Sequence, residues 1–289
     1  MDKDVPIAVF GVFEGESAAT PDNGHMDLIE AKLDIFGKSL HICIGVENKS
    51  AKLSDLVPLA RLFSTKIISI TRQHITNNGD IIACRPCCSR CCRYLVPLTI
   101  PEAMYLTEEV MAMAKSERAF AEESCLLTAR RILELTPKHF IEKFAKTEPK
   151  ICSKLKDISD WYSRINLPCP FLLNGLCTIY EQRPIACREH LVIGSASICE
   201  AEGANQAKPV QMPISILEAL AQLTSEFEHT TIEAIILPFA VIWCRENPEY
   251  FKHTWLAPQL VTRFINIITT RNSCNNEPEP QKTDNSCRN

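Results

Sequence analysis

The sequence predicts a mainly α-helical fold with a small β element near the N-terminus. Residues 5–14 and 39–47 are rich in β-branched and aromatic residues and predict strands. Most of the remaining chain repeats apolar residues at intervals of three and four, which is typical of helices that bury one face. Residues 84–92 interrupt that pattern, because five of these nine residues are cysteine.

The two predicted strands are separated by a stretch with turn residues at 21–24. A two-stranded ribbon is marginal by itself, so we expect a helix to pack behind it. We assign residues 1–52 to this β element and residues 53–271 to a helical, cysteine-bearing domain. Residues 272–289 are polar without an apolar period, which is typical of a disordered tail.

Several helix boundaries carry local signals. Thr99 followed by Ile-Pro-Glu102 is a capping signature, with a threonine cap, a proline in the first turn and a glutamate three residues on. Residues 77–79 are turn residues that end a helix. Pro238 kinks or splits the helix that contains it. The predicted helices are 54–75, 101–114, 117–134, 138–146, 152–164, 214–227, 231–246 and 256–270.

Composition limits the function. The chain of 289 residues has a net charge of −4, so it offers no strong basic field for nucleic acid or an anionic membrane. The start lacks the pattern of a signal peptide. The most apolar run, 235–244, is too short for a membrane span and contains Pro238. We therefore expect a cytoplasmic, reduced protein, in which clustered cysteines are more often metal-binding or catalytic than disulfide-bonded.

The first cysteine-rich stretch is Cys-Arg-Pro-Cys-Cys-Ser-Arg-Cys-Cys, at 84–92. A disulfide requires two Cα atoms about 4.4–6.8 Å apart with converging side chains, and so short a segment cannot offer this to every thiol. Crowded thiolates repel one another unless a cation lies among them, and a coordinating thiol is deprotonated by the ion. The stretch therefore predicts a metal site. The alternative is a group of buried, reduced thiols without a metal.

A second cysteine-bearing segment, residues 167–190, has the proline and glycine content of a loop. It lies about 75 residues beyond the first, with predicted helices between them. Metal sites commonly combine ligands from two such loops, and thiolates at this density favour zinc or an iron–sulfur cluster. The cysteines of this part of the chain are Cys169, Cys177, Cys187 and, shortly afterwards, Cys199.

The two segments resemble the paired motifs of one family, the zinc- or iron-chelating domain of YkgJ-like cysteine-cluster proteins. The first motif is Cys84-x3-Cys88-x2-Cys91-Cys92, followed by Val-Pro-Leu-Thr-x-x-Glu102. The second is Cys169-Pro-Phe-Leu-x-x-Gly-x-Cys177-x-Ile-Tyr-x-x-Arg-Pro-x-x-Cys187-Arg. The resemblance covers about residues 80–200.

The resemblance implies a set of metal ligands: Cys84, Cys88, Cys91, Cys92, Cys169, Cys177 and Cys187. Cys199 and His190 are candidates for an eighth ligand. Cys87 stands where the family usually has glycine, so its role is left open. Eight ligands suffice for two tetrahedral ions and four for one cluster, and the spacing alone does not choose between these arrangements.

Polar side chains next to these cysteines predict a supporting shell for the site. Such donors offset the negative charge of a thiolate-rich centre. The alternative is that the arginines cap loops or pair with Glu181 and Glu189 at the surface. The side chains assigned to this shell are Arg93, Arg183, Arg188 and His190.

We expect a metal-binding protein whose cysteines hold an iron–sulfur cluster, zinc or iron for a redox, metal-handling or structural role. The metal ion is its expected partner, and we expect neither nucleic-acid nor membrane binding. The alternative is a metal- or cluster-dependent enzyme, such as an oxidoreductase or a protein-modifying transferase. A similar cysteine motif occurs in flagellin lysine methylases, which supports that alternative by resemblance. A closed all-cysteine shell favours the first function, and an open position favours the second.

Overall fold

The structure is a computed structural model that describes residues 6–14, 26–137, 151–195, 199, 208–230 and 234–276. Helices form most of the described chain, and the largest sheet lies near the N-terminus. The predicted fold class, mainly α with a small N-terminal β element, is therefore confirmed.

The N-terminal sheet has three antiparallel strands in the order β1–β3–β2. These are β1 (Ile7–Glu14), β2 (Asp27–Ile35) and β3 (Lys38–Val46). Phe36 and Gly37 join β2 to β3 with φ of 53° and 77°, the left-handed backbone of a two-residue hairpin turn. Strands β1 and β3 were predicted, whereas β2 was missed. The missed signal is the alternation within β2, where every second residue from 31 to 35 is buried.

The helices agree with the predicted spans to within a few residues, apart from the last two and from the short helix at Ile185–Glu189, which lies in a segment predicted to be a loop. The prediction at 138–146 lies outside the described residues. The described helices are α1 (Val57–Asn77), α2 (Ile100–Ala112), α3 (Lys115–Leu135), α4 (Ile151–Ile165), α5 (Ile185–Glu189), α6 (Ile216–Glu228), α7 (Ala240–Glu246) and α8 (Ala257–Asn276). Short strands are β4 (Ser50–Ala51), β5 (Pro97–Leu98), β6 (Leu172–Leu173), β7 (Leu176–Cys177), β8 (Val192–Ile193), β9 (Lys208–Pro209), β10 (Ile235–Ile236) and β11 (Trp255–Leu256).

Pro238 divides the segment that was predicted as one helix over 231–246. The described part begins as strand β10, passes through a 3₁₀ turn at Leu237–Phe239 and continues as α7. Proline has no backbone N–H and fits the first turn of a helix, so the split occurs where the sequence places it. Helix α8 extends to Asn276, beyond the predicted boundary at residue 271.

One apolar core lies between the sheet and helices α1, α6 and α8. Leu33 and Ile35 of β2 are fully buried there, as are Phe63 of α1 and Phe264 of α8. The two phenylalanine rings meet edge to face with centroids 6.1 Å apart. The sheet is therefore backed by helices, as a small sheet needs to be to bury one face.

A second apolar core joins α2, α3 and α7 to the loop between α4 and α5. Phe171 and Ile179 of that loop are buried in this core, and Cys169 and Cys177 pack against it. The second cysteine segment is therefore attached to the helical scaffold by its own apolar side chains. No helix in the described ranges is both long and apolar enough to cross a membrane.

Replacing Phe264 with alanine tests the first core. Phe264→Ala removes a fully buried ring, and we expect it to lower the free energy of unfolding by about 3–5 kcal/mol. Leu133→Ala, at a side chain that is 62% exposed, should change it by no more than about 0.5 kcal/mol. Denaturant unfolding measures both. Equal effects of the two substitutions would contradict this account of the core.

Candidate metal centre

The first cysteine loop is fixed at its start by two neighbouring segments. The Ala83 N–H donates to the Val192 carbonyl (3.0 Å), and the Gly194 N–H donates to the Ile81 carbonyl (2.8 Å). On the other side, the guanidinium of Arg72 in α1 donates to the Cys84 carbonyl (2.9 Å). Cys84 therefore starts the loop from a position held by α1 and by the chain around β8.

Tight turns gather the remaining cysteines of this loop. The Cys88 N–H donates to the Arg85 carbonyl (3.2 Å), and the Cys92 N–H donates to the Ser89 carbonyl (3.1 Å). Cys87 is exposed and has φ +66°. This backbone conformation favours glycine, which accounts for the residue that the family resemblance expects at this position. Cys87 adopts this left-handed backbone conformation at a cost in conformational energy that glycine would not have.

The second loop presents its cysteines from three local structures. Cys169 precedes a small hairpin, Cys177 ends strand β7 of that hairpin, and Cys187 lies in the short helix α5. Asn174 and Gly175 form the hairpin turn with φ of 51° and 80°, the conformation for which an Asn-Gly pair is preferred.

A buried carboxylate, that of Glu102, joins the end of the first motif to helix α5. One oxygen of Glu102 accepts from the Ile185 N–H (2.8 Å), and the other accepts from the Thr99 N–H (3.3 Å). The second contact completes the predicted capping box of α2. Burial raises the pKa of Glu102, and these backbone hydrogen bonds oppose that shift. Glu102 therefore holds the start of the helix that carries Cys187.

The two cysteine loops contact each other directly. The Cys169 N–H donates to the Cys92 carbonyl (2.7 Å), which joins the two motifs through the backbone. Beside it, the Arg93 guanidinium donates to the Asn166 carbonyl (3.0 Å). The structure thus brings together two segments that are separated by the helices α2, α3 and α4.

Cys91 lies at the electrostatic centre of the cysteine group. Charge on Cys91 contributes to raising the pKa of thiols in both loops, and Cys91 itself exchanges a side-chain hydrogen bond with Cys92. The thiols whose pKa is affected in this way are Cys84, Cys169, Cys177, Cys187 and Cys199. Cys88 interacts electrostatically with Cys84 and Cys199. We refer to these eight cysteines as the cysteine group, since electrostatic interactions run between the two loops and Cys199.

Burial and repulsion between neighbouring cysteines raise the pKa of several of these thiols. Burial, with smaller contributions from neighbouring cysteines, raises the pKa of Cys169 to about 12 and places that of Cys187 well above its usual value. The pKa of Cys91 rises mainly through its hydrogen bond with Cys92 and then through burial. A soft cation among these thiols would lower their pKa, because it stabilises the thiolate form.

The donor set, rather than a preformed coordination geometry, fits a metal. Within the described ranges, no three His, Cys, Asp or Glu side chains are arranged to hold an ion. Sulfur donors from two loops nevertheless match the preference of zinc and of iron–sulfur clusters. Metal binding deprotonates such ligands and is coupled to folding, so the coordination geometry can form together with the bound ion.

Two arginines of the second loop, Arg183 and Arg188, have different roles beside the thiols. The Arg183 guanidinium lies over the Tyr180 ring at 4.2 Å, and its charge lowers the pKa of Cys91 and of Cys177 against the effect of burial. Arg188 donates to the carbonyls of Arg183 and Glu181 and to the Thr65 hydroxyl. Arg188 therefore caps loop carbonyls, and Arg183 acts on the thiols by charge.

Cys199 and His190 lie on the side of the group that faces Cys84. The Tyr94 hydroxyl donates to the Cys199 carbonyl (2.9 Å), and the Tyr94 ring meets the His190 ring edge to face at 5.7 Å. The Cys84 thiol lies 3.8 Å from the backbone carbonyl of His190. The sequence indicated neither the role of Tyr94 nor that of Arg72, because both act on backbone carbonyls that no spacing pattern reveals.

Three cysteines of strands and helices outside the two loops, Cys43, Cys125 and Cys244, are buried. Cys43 lies in β3 and Cys244 in the second core. Cys125 of α3 is also buried, and its charge contributes to raising the pKa of Cys169. Cys152 lies in α4 and Cys274 in α8, but the structure does not describe their side chains, and Cys287 lies outside the described residues. Cys125 is thus the core cysteine that the structure brings near the group, which the helical pattern did not reveal.

A cleft of about 280 Å³ opens beside the cysteine group. It lies between residues 91–97 of the first motif and helix α5, and Leu217 of α6 closes one side. Cys91 and Cys187 both line it, so each motif contributes a cysteine to its wall. The cleft was not predicted from the sequence, because it depends on how α5 and α6 pack against the first motif.

A helical scaffold thus presents cysteines from two touching loops, a set of soft donors that zinc and iron–sulfur clusters prefer. Residues 83–208 match the family model described as "putative zinc- or iron-chelating domain". This match confirms the predicted family, and both cysteine motifs lie within it. Searches of curated proteins and of solved structures found no match. The family description supports binding of zinc or iron by this segment.

Replacing Glu102 tests the contact that holds α5. Glu102→Ala leaves the buried N–H groups of Thr99 and Ile185 without acceptors, so we expect a loss of about 3 kcal/mol in the free energy of unfolding. Glu102→Gln keeps an acceptor oxygen and should lose less. Glu134→Ala, whose side chain is 52% exposed, should change stability by no more than about 0.5 kcal/mol. Denaturant unfolding of all three variants measures these changes in the free energy of unfolding. A loss for Glu102→Ala no larger than for Glu134→Ala would contradict the assigned role.

Proposed function

We propose that the two cysteine loops form one metal centre that carries an iron–sulfur cluster, zinc or iron. The observation that carries this proposal is that the two cysteine loops are in direct contact, with the Cys169 N–H 2.7 Å from the Cys92 carbonyl. This contact keeps the two donor sets together. The ligands proposed are Cys84, Cys88, Cys91, Cys92, Cys169, Cys177, Cys187 and Cys199.

The proposed role is redox, metal-handling or structural chemistry in a reducing cytoplasm. Several buried thiolates around an ion carry net negative charge, and Arg183 lies close enough to offset part of it. Arg93 and Arg188 support the loops through their carbonyls, and His190 adds its backbone oxygen next to Cys84. A bound cluster would supply electron transfer, and a bound zinc ion would supply rigidity.

An enzymatic function is the second candidate, and the cleft beside Cys91 and Cys187 favours it. A metal used only for structure has a closed shell, whereas catalytic metals keep a position open to substrate. A cleft that reaches cysteines of both motifs offers such access. The reaction classes that fit are an oxidoreductase and a protein-modifying transferase.

Substitution of one cysteine in each loop tests the shared centre. Cys88→Ser and Cys187→Ser should each lower metal affinity by more than roughly tenfold. Loss of a residue that only hydrogen-bonds to a ligand already lowers affinity by about that factor, and loss of a ligand should cost more. Both should also lower the melting temperature, because metal binding is coupled to folding. Metal analysis of purified protein and thermal unfolding are the measurements.

Cys43→Ser is the matched control, since Cys43 is buried in strand β3 outside the cysteine group. It should leave the metal content unchanged. If Cys88→Ser and Cys187→Ser both fold, as judged by circular dichroism, and keep the full metal content, the two-loop centre is rejected.

The identity of the metal follows from an absorption spectrum with iron, zinc and sulfide analysis of protein purified without oxygen. Absorption near roughly 400 nm together with iron and acid-labile sulfide indicates a cluster. A colourless protein with stoichiometric zinc indicates a zinc site. Freshly reduced protein without any metal would overturn the proposal.

A further inference from the structure

Helix α3 exposes apolar side chains on the face opposite to the one that it buries. Its buried residues recur every three or four positions, as one helix face does, and they are Ala121, Cys125, Ala129 and Ile132. Four large apolar side chains of α3 are between 44% and 62% exposed: Phe120, Leu126, Leu127 and Leu133. No other helix in the described ranges has more than one exposed large apolar side chain. Such a patch is typical of an interaction site.

The same face of α3 carries two charged residues, Glu123 and Arg130, and both are exposed. In the part of the chain that the structure describes, neither side chain makes an ion pair or a hydrogen bond. Arg131, by contrast, pairs with Glu134 of the same helix at 3.0 Å. Glu123 and Arg130 can therefore pair with charges outside the protomer.

Helical geometry arranges the exposed residues of α3 in three parallel rows. At 3.6 residues per turn, two residues that are seven positions apart lie almost on one line along the helix. One charged row therefore runs between two apolar rows. The rows join Phe120 to Leu127, Glu123 to Arg130, and Leu126 to Leu133.

This face is complementary to a second copy of itself when the two helices run antiparallel. If a two-fold axis passes between residues 126 and 127, Glu123 lies opposite Arg130 of the second copy, and symmetry repeats the pair. The same axis places Leu126 and Leu127 each beside its own copy. A parallel pair would instead set Glu123 against Glu123. The antiparallel helices overlap over residues 118–135, which is about 27 Å of helix.

We propose that α3 is a homodimer interface that packs antiparallel against α3 of a second copy of this chain. Leu126 and Leu127 lie at its centre, and a Glu123–Arg130 pair lies on either side. Burial of the leucines contributes most of the affinity, and the charge pairs set the direction and register of the helices. The contact is isologous, so assembly closes at two chains. The inference is independent of the metal centre, because α3 lies outside both cysteine motifs.

Sedimentation velocity of the 289-residue chain at increasing concentration tests this proposal. One helix pair is a small interface, so we expect a reversible dimer with a dissociation constant of roughly 1–100 μM. A reducing buffer excludes disulfide-linked dimers formed through the exposed Cys87. Unfolding measured below this concentration range, including that of Leu133→Ala, reports on the protomer alone.

Charge inversion tests the antiparallel arrangement. Glu123→Arg sets positive charges opposite each other at two places in the dimer, and Arg130→Glu does the same with negative charges. Because like charges across an interface repel, we expect each variant alone to dimerise about tenfold more weakly or worse. An equimolar mixture of the two variants restores opposite charges at both places, so we expect it to form a heterodimer as readily as the unchanged chain dimerises. Glu117→Arg, at an exposed position of α3 outside the three rows, is the matched control and should dimerise like the unchanged chain.

Leu127→Glu tests the apolar centre of the interface, because it places two carboxylates beside the two-fold axis. We expect this variant to stay monomeric throughout the concentration series while its circular dichroism remains that of the unchanged chain.

Three outcomes overturn the inference. The first is an unchanged chain that stays monomeric, as it would if a different protein or another part of this chain covered the face. The second is a dimer that persists in Leu127→Glu. The third is a mixture of Glu123→Arg and Arg130→Glu that dimerises no better than either variant alone. Each of these leaves the metal centre untouched, since none of them changes a cysteine.

Discussion

The buried carboxylate of Glu102 is the contact on which the cysteine site depends. It accepts hydrogen bonds at the start of α2, just beyond the first motif, and at the start of α5, within the second. Burial raises the pKa of Glu102, and backbone donors and the nearby charge of Arg61 oppose part of that shift. One side chain thus fixes the separation between the two motifs, because neither helix start can move without leaving a buried N–H unpaired.

Charge balance is the second constraint on this region. Burial and, to a smaller extent, the neighbouring cysteines raise the pKa of Cys84, Cys169 and Cys187, so these thiols resist ionisation unless positive charge is supplied. Arg183 supplies part of that charge, and a metal would supply the rest. Binding of a cation here would therefore be accompanied by loss of thiol protons, as it is wherever cysteines become metal ligands.

Local physics made much of the fold predictable. The capping box at Thr99 and Glu102, the apolar period of α1 and the split at Pro238 all follow from interactions within a few residues. Strand β2 was missed because its charged outer positions and the turn residues before it hid an alternating pattern. Its burial comes from α8, far along the chain, and not from its own sequence.

The metal hypothesis was also predictable, because a thiol density such as that of residues 84–92 has few explanations other than a bound cation. The contacts that organise the site were not predictable. Arg72 and Tyr94 act on backbone carbonyls, and Leu217 closes a cleft from a helix outside both motifs. Side chains of this kind leave no periodic or spacing signal in the sequence.

The sequence by itself determined where most of the helices lie and which residues carry soft donors, because both depend on neighbours in the chain. Only the tertiary structure decided that Cys169 meets Cys92, that the thiols gather around Cys91, and that a cleft opens beside Cys187. The physical reason is that these features depend on how the helices between the two motifs pack against one another. Their packing sets distances between residues that lie far apart in the chain.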